Sequence, residues 1–189
     1  MTGSPTIPSN DITKPAQAIN KLVAEFQEYL FPPEGQVVAA NLVSILQDVI
    51  PRLQDELQRR GVRLDVVHRG SLPQLALDVP QVTRALEKIL EFSVNVLPQG
   101  GELCMETREV EADGGDFVEL RIDIRSSIPL EFDEDEVFKP FARLYQYKAG
   151  LSLALAREIF RRNHGAISFR KSDPRHGSIS LILEVQSDR

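Results

Sequence analysis

The chain has 189 residues, enough for one ordinary domain with a short extension and a continuous buried core. With 42% hydrophobic and 26% charged residues it falls outside the disordered and membrane-embedded classes, and no apolar run reaches the roughly 18 residues a spanning helix needs. A net charge of −6 argues against general affinity for nucleic acid, because neutralising a phosphate backbone takes clustered cations. The single cysteine, Cys104, can form neither an internal disulfide nor a cysteine-based zinc site, and its place in an alternating segment predicts burial as a small apolar residue. No charged leader precedes an apolar segment, so a cytoplasmic protein is expected.

Residues 1–13, with Pro5 and Pro8 among Ser, Thr, Asn and Gly, read as a flexible leader. Residues 14–33 follow as a helix whose Ile19, Leu22, Val23, Phe26 and Leu30 recur at helical spacing until Pro32 and Pro33 stop the pattern. A single amphipathic helix is marginal in water, so this stripe is expected to meet a partner. The pattern of Val38, Leu42, Ile45, Leu46, Val49, Leu53 and Leu57 predicts a second helix over residues 37–60, bent or restarted at Pro51 and capped by Gly61. Residues 62–67 change to an alternating, strand-like period.

Asp78 is a natural N-cap for the next helix, with Pro80 in its first turn and Val82, Leu86, Ile89 and Leu90 on its inner face. After the turn at Pro98, Gly100 and Gly101, residues 102–110 and 116–125 predict an antiparallel hairpin joined through Asp113, Gly114 and Gly115. Its second strand places Val118, Leu120, Ile122 and Ile124 on one face and Glu119, Arg121, Asp123 and Arg125 on the other. An acidic stretch of Glu131, Asp133, Glu134, Asp135 and Glu136 lacks the spacing of a calcium loop and reads as solvated. A helix over residues 149–163 and strands over 166–171 and 178–185 complete the chain. Three helices beside four or five largely antiparallel strands predict an α+β fold, a two-layer α/β sandwich with its helices on one sheet face.

Several local patterns, in order, are similar to one known family. The run Val137, Phe138, Lys139, Pro140, Phe141 looks like an apolar-Phe-x-Pro-Phe element. Residues 148–156 keep Gly150, Leu151 and Leu153 of a glycine-rich GTGLGLAIA segment, and Asn163-His164-Gly165 resembles an HGG turn. Gly177-Ser178 opens a segment like a terminal G-T-x-F strand, and Phe26, Tyr29, Pro32 and Pro33 match a Phe-x-x-Tyr-x-x-Pro-Pro helix exit. Over residues 18–185 the chain resembles the histidine kinase-like ATPase family, the Bergerat or GHKL type shared by sensor histidine kinases, a heat-shock chaperone and gyrase. The resemblance implies part of a dimerisation helix over residues 14–33 and an ATPase-like domain over residues 34–189.

What the family uses to hold nucleotide is altered here. An asparagine-rich helix, commonly NLLxNA, normally carries the magnesium; the corresponding stretch runs from Lys88 to Ser93, with Lys88 at the first asparagine and Phe92 at the metal-binding one. Magnesium requires hard oxygen ligands, which a phenyl ring lacks. The aspartate of the DxGxG motif, which accepts from the adenine amino group, corresponds to Ser126, and both glycines are absent. Lys148, Gly150 and Ser152 retain half of the glycine-rich loop, as an anion cradle or an ordinary loop-to-helix junction. The histidines His68, His164 and His176 all lie away from the first helix, where a phosphoacceptor would sit.

The sequence thus predicts a degenerate, non-catalytic domain that acts as a protein-interaction or regulatory module in bacterial signalling, with no catalytic residue, no metal ligand and no cofactor. Its expected partner is a signalling protein or a second copy, met through Ile19, Leu22, Val23, Phe26 and Leu30, with no membrane or nucleic acid involved. Two alternatives stay open: a divergent ATP-binding domain using Glu87 or Glu91 as replacement ligands for magnesium, and a phosphotransfer protein without ATPase activity. Arg161, Arg162, Arg170, Lys171 and Arg175 read as scattered surface charge.

Overall fold

The structure is a computed structural model that describes residues 19–20, 23–24, 26–27, 35–112, 114–132, 134, 136–140 and 151–186. The expected leader over residues 1–13 lies outside them. Residues 19, 20, 23, 24, 26 and 27 are helical, as the apolar spacing predicts.

Residues 37–60 are not one helix. Val37–Ala40 form strand β1, and Asn41 then caps helix α1, Leu42–Val49: its side-chain oxygen accepts from the Val43 amide at 2.9 Å. The Asn41 side-chain amide also donates to the Leu72 carbonyl at 3.0 Å, which ties the helix start to a distant loop. Val38, assigned to the inner helical face, is instead 44% exposed on β1. Pro51 acts as its chemistry dictates: lacking an amide hydrogen, it sits at the start of a 3-10 turn, Ile50–Leu53, and the helix resumes as α2, Gln54–Arg60. Gly61 closes α2 at φ 60°, a left-handed conformation that suits glycine, and its amide bonds back into the last turn.

Strand β2, Arg63–His68, comes next, and then a strand not expected from the sequence, β3, Leu75–Asp78, which pairs antiparallel with β1. Asp78 caps helix α3, Val79–Asn95, by accepting from the Gln81 amide at 3.1 Å, with Pro80 in the first turn. The hairpin is longer than predicted, β4 over Glu102–Ala112 and β5 over Gly115–Arg125. Helix α4, Ser152–Arg162, precedes β6, Gly165–Asp173, and β7, His176–Glu184.

The main sheet has the order β2-β4-β5-β7-β6. Only β2 and β4 run parallel, and the long connection such a pair needs is supplied by β3 and α3. On β5, Val118, Leu120, Ile122 and Ile124 are fully buried in the same core as the inner faces of α1, α3 and α4, while Glu119, Arg121, Asp123 and Arg125 line the other face. The fold is therefore the α+β two-layer sandwich expected. Cys104 departs from expectation: Leu103 and Met105 take the inward positions of β4, so alternation turns Cys104 outward and leaves it half-buried. A buried amide fixes the two long helices together. Asn163, at the end of α4, accepts from the Asp78 amide at 2.7 Å and donates to the Ile159 carbonyl at 2.9 Å.

Candidate functional site

Lys88 and Phe92 are four residues apart on α3 and so share a helix face. Lys88 is half-buried, whereas Phe92 is 6% exposed and points into the core. Its ring meets Phe132 edge-on, with centroids 5.7 Å apart and an interplanar angle of 67°. Phe132 in turn lies 5.1 Å from Phe169 of β6. Edge-to-face and tilted pairs at these separations attract beyond the burial of their surfaces. Next to Phe92, Ser93 is fully buried and turns its hydroxyl back onto its own helix, donating to the Ile89 carbonyl at 2.8 Å.

Ser126 follows the last residue of β5 and is buried. Its backbone amide donates to the Arg175 carbonyl at 2.9 Å, and its hydroxyl oxygen accepts from the Ile128 amide at 3.2 Å, a local turn within its own loop. Further along, the Leu130 amide donates to the Pro174 carbonyl at 2.7 Å, and Leu130 and Phe132 both sink into the core. The close approach of Gly177 makes this possible. A β-carbon there would lie 2.5 Å from the Phe169 ring and 3.2 Å from Leu130.

Val137 and Phe138 anchor the next turn in the core, and the Arg157 guanidinium lies 5.9 Å from the Phe138 ring centroid. Ser152 is the first residue of α4 and half-buried; the preceding Leu151 offers no side-chain cap. Lys148 and Gly150 lie outside the described residues. The structure therefore brings Phe92 close to the segment that begins at Ser126, and places Ser152 at the head of a separate helix.

The carboxylates that would have to replace the asparagine are not grouped. Glu87 pairs with Arg52 across the α1–α2 junction, and Glu91 is exposed. His68 ends β2 with its Nδ1 2.8 Å from the Thr107 hydroxyl, His164 sits in a turn at φ 54°, and His176 pairs with Asp173 at the head of β7. On the first helix, Ile19, Val23 and Phe26 are all exposed; Leu22 and Leu30 of the same stripe lie outside the described residues.

An open trough of about 930 Å³ lies on the opposite, solvent-facing side of the sheet, lined among others by Arg121, Asp123, Ser168, Arg170, Ser178 and Ser180. Part of its charge is neutralised within the sheet. Arg121 pairs with Asp123 at 3.0 Å, and Glu119 takes bonds from Ser180 and Arg108. Burial pushes the Glu119 carboxyl up, but those two bonds outweigh it and hold the group below its ordinary value. Sequence reasoning missed Phe132, Phe169 and Lys171. The one signal for Phe132 was an aromatic residue inside an acidic run: Glu131, Glu134 and Glu136 are exposed, and Phe132 between them is buried.

No family model matches the chain. It is 29% identical over 153 residues to the alginate biosynthesis sensor protein KinB of Pseudomonas aeruginosa; the match takes in 79% of this chain and spans a quarter of that relative's length. Among solved structures, histidine kinase AdeS of Acinetobacter baumannii superposes with a TM-score of 0.75 at 14% identity, covering 98% of this chain and 88% of AdeS. A mycobacterial sensor histidine kinase, MprB, gives 0.62 at 21% identity, covering 82% of this chain and all of the MprB chain. Histidine kinase ThkA, solved in complex with the response regulator TrrA, gives 0.75 at 13% identity, covering 98% of this chain and 53% of the other.

Proposed function

The chain carries the histidine kinase-like ATPase fold, and from that premise we propose that it is a signalling domain which has given up ATP chemistry and works by binding another protein. One observation carries the reading: Phe92, which the sequence resemblance matches to the family's metal-binding amide, is buried in an aromatic cluster with Phe132 and, beyond it, Phe169. An amide there would hold magnesium through oxygen; a packed ring supplies no lone pair and leaves the ion no room. Ser126, which the resemblance matches to the adenine-binding aspartate, is buried and its hydroxyl oxygen accepts from the Ile128 amide of its own loop. Of the two carboxylates that the replacement-ligand alternative would use, Glu87 pairs with Arg52 and Glu91 faces solvent beside the buried Phe92, so the two do not form a common site.

The exposed apolar stripe of Ile19, Val23 and Phe26 supports a helical contact with a second copy or with a signalling protein. The ThkA complex with a response regulator shows the class of partner that a protein of this fold engages. No helix among the described residues is long and apolar enough to cross a membrane, so this surface is read as a protein contact. Calorimetric titration with ATP and magnesium tests the first part, and no saturable heat is expected. Micromolar saturable binding would sink it. Light scattering on Val23→Asp/Phe26→Asp tests the second: a lower mass than the unaltered chain is expected, and an identical mass would remove the dimer while leaving the nucleotide reading intact.

A further inference from the structure

The segment over residues 126–132, with Glu134 beyond it, is fastened to the β6–β7 hairpin at successive levels. Beyond the Ser126 and Leu130 amide bonds, the Lys171 ammonium donates to the Phe132 carbonyl at 2.5 Å and reaches the Leu130 carbonyl at 3.4 Å. The same ammonium lies 5.8 Å from the Phe132 ring centroid, and the Lys171 backbone amide donates to the Glu134 carboxylate. Alternation along β6 explains how a lysine comes to be there. Ile167 and Phe169 point inward, and Lys171 is the next position on that side, just before the strand bulges between Lys171 and Asp173. An inward cation at a strand end needs partners, and this one takes carbonyls of the segment that carries Phe132.

We propose that Lys171 is a latch: it holds the segment over residues 126–132 down on Phe92 and Phe169, so that the closed packing of the space between α3 and the hairpin depends on this one side chain. The proposal rests on the reading that this space no longer receives a nucleotide. Two loop carbonyls and one aromatic face converge on a single ammonium, so removing that group takes away all three interactions at once while the aromatic rings remain. The lysine is a positioning residue; it acts through Phe132.

Hydrogen exchange on the full chain reads the latch directly, because the Ser126 and Leu130 amides are bonded to the hairpin. In Lys171→Met these two amides are expected to exchange about tenfold or more faster, while Leu120 and Ile122 in the centre of β5 keep their protection. Binding of the apolar dye 8-anilinonaphthalene-1-sulfonate is expected to rise with them. Lys171→Arg, which can still donate to both carbonyls, should behave like the unaltered chain. Lys171→Gln keeps a polar group but is too short to reach both carbonyls, and should show the faster exchange without a folding defect. Unchanged exchange at Leu130 in Lys171→Gln, or acceleration spread equally to Leu120, would overturn the latch. Saturable ATP and magnesium binding by the unaltered chain would instead remove the underlying reading, so the two failures are distinguishable.

Discussion

The two ends of α3 are built on different logic. At its start, Asp78 caps the helix and Asn163 clamps the Asp78 amide through hydrogen bonds, while Pro80 fills a first-turn position that needs no amide hydrogen. At its end, the Phe92 side chain has no hydrogen-bonding group and packs into a cluster of three phenyl rings. The first end is framework; the second, which the sequence resemblance matches to the family's ligand-holding segment, is packed here as core. Framework and site are therefore separable within one helix of 17 residues.

Substitutions at the two ends and in the sheet between them test that separation. The largest loss is expected in the framework itself: Leu120→Ala, at a fully buried position on the central strand, should cost about 2–5 kcal/mol in urea unfolding, from lost transfer energy plus a cavity. Phe92→Asn sharpens the comparison most. If the ring is core, replacing it by an amide should cost about 3 kcal/mol, since it both empties the cluster and buries an unpaired amide. A change below about 0.5 kcal/mol, the range of ordinary surface positions, would mean that the site is open to water. Asn163→Leu removes the acceptor for the Asp78 amide and should cost about 1–3 kcal/mol by the same unfolding measurement.

The smallest effect concerns pH. Hydrogen bonds from Arg161, helped by Arg162 and opposed by partial burial, hold the Glu158 carboxyl down at about 2. A carboxyl whose folded-state value is depressed stabilises the fold above its unfolded value of 4.5, and that stabilisation is lost as pH falls from there toward 2. Because the arginine partners are exposed, the contribution should be under about 1 kcal/mol. Glu158→Gln should therefore flatten the acid limb of the stability curve slightly, by lowering stability at neutral pH by under about 1 kcal/mol while leaving it unchanged near pH 2. A loss as large as that from Asn163→Leu would contradict this ranking.

The sequence made plain those features that neighbouring residues decide. Gly61 and Asp78 announce helix ends by their own chemistry, and the strict alternation from Val118 to Ile124 defines β5 with its inner face. Features that depend on a distant partner were hidden. Val37–Ala40 reads equally well as the start of a helix; only its pairing with Leu75–Asp78, almost forty residues away, makes it a strand. Cys104 looked like core until the inward places on β4 went to Leu103 and Met105. At the site, Phe92 and Ser126 stood out as replacements, but what fills the space did not. Phe132 sits among acids that signal solvent, and its burial depends on Gly177, Phe169 and Lys171, which come from another part of the chain.

The most direct test of the central claim is to follow the ring resonances of Phe92, Phe132 and Phe169 by NMR while ATP and magnesium are added to the intact chain. The aromatic cluster predicts that these signals stay where they are at millimolar nucleotide, with their mutual ring contacts intact. Saturable movement of the Phe92 and Phe132 signals together, with loss of the contact between them, would show a nucleotide entering the space that these rings occupy and would contradict the account.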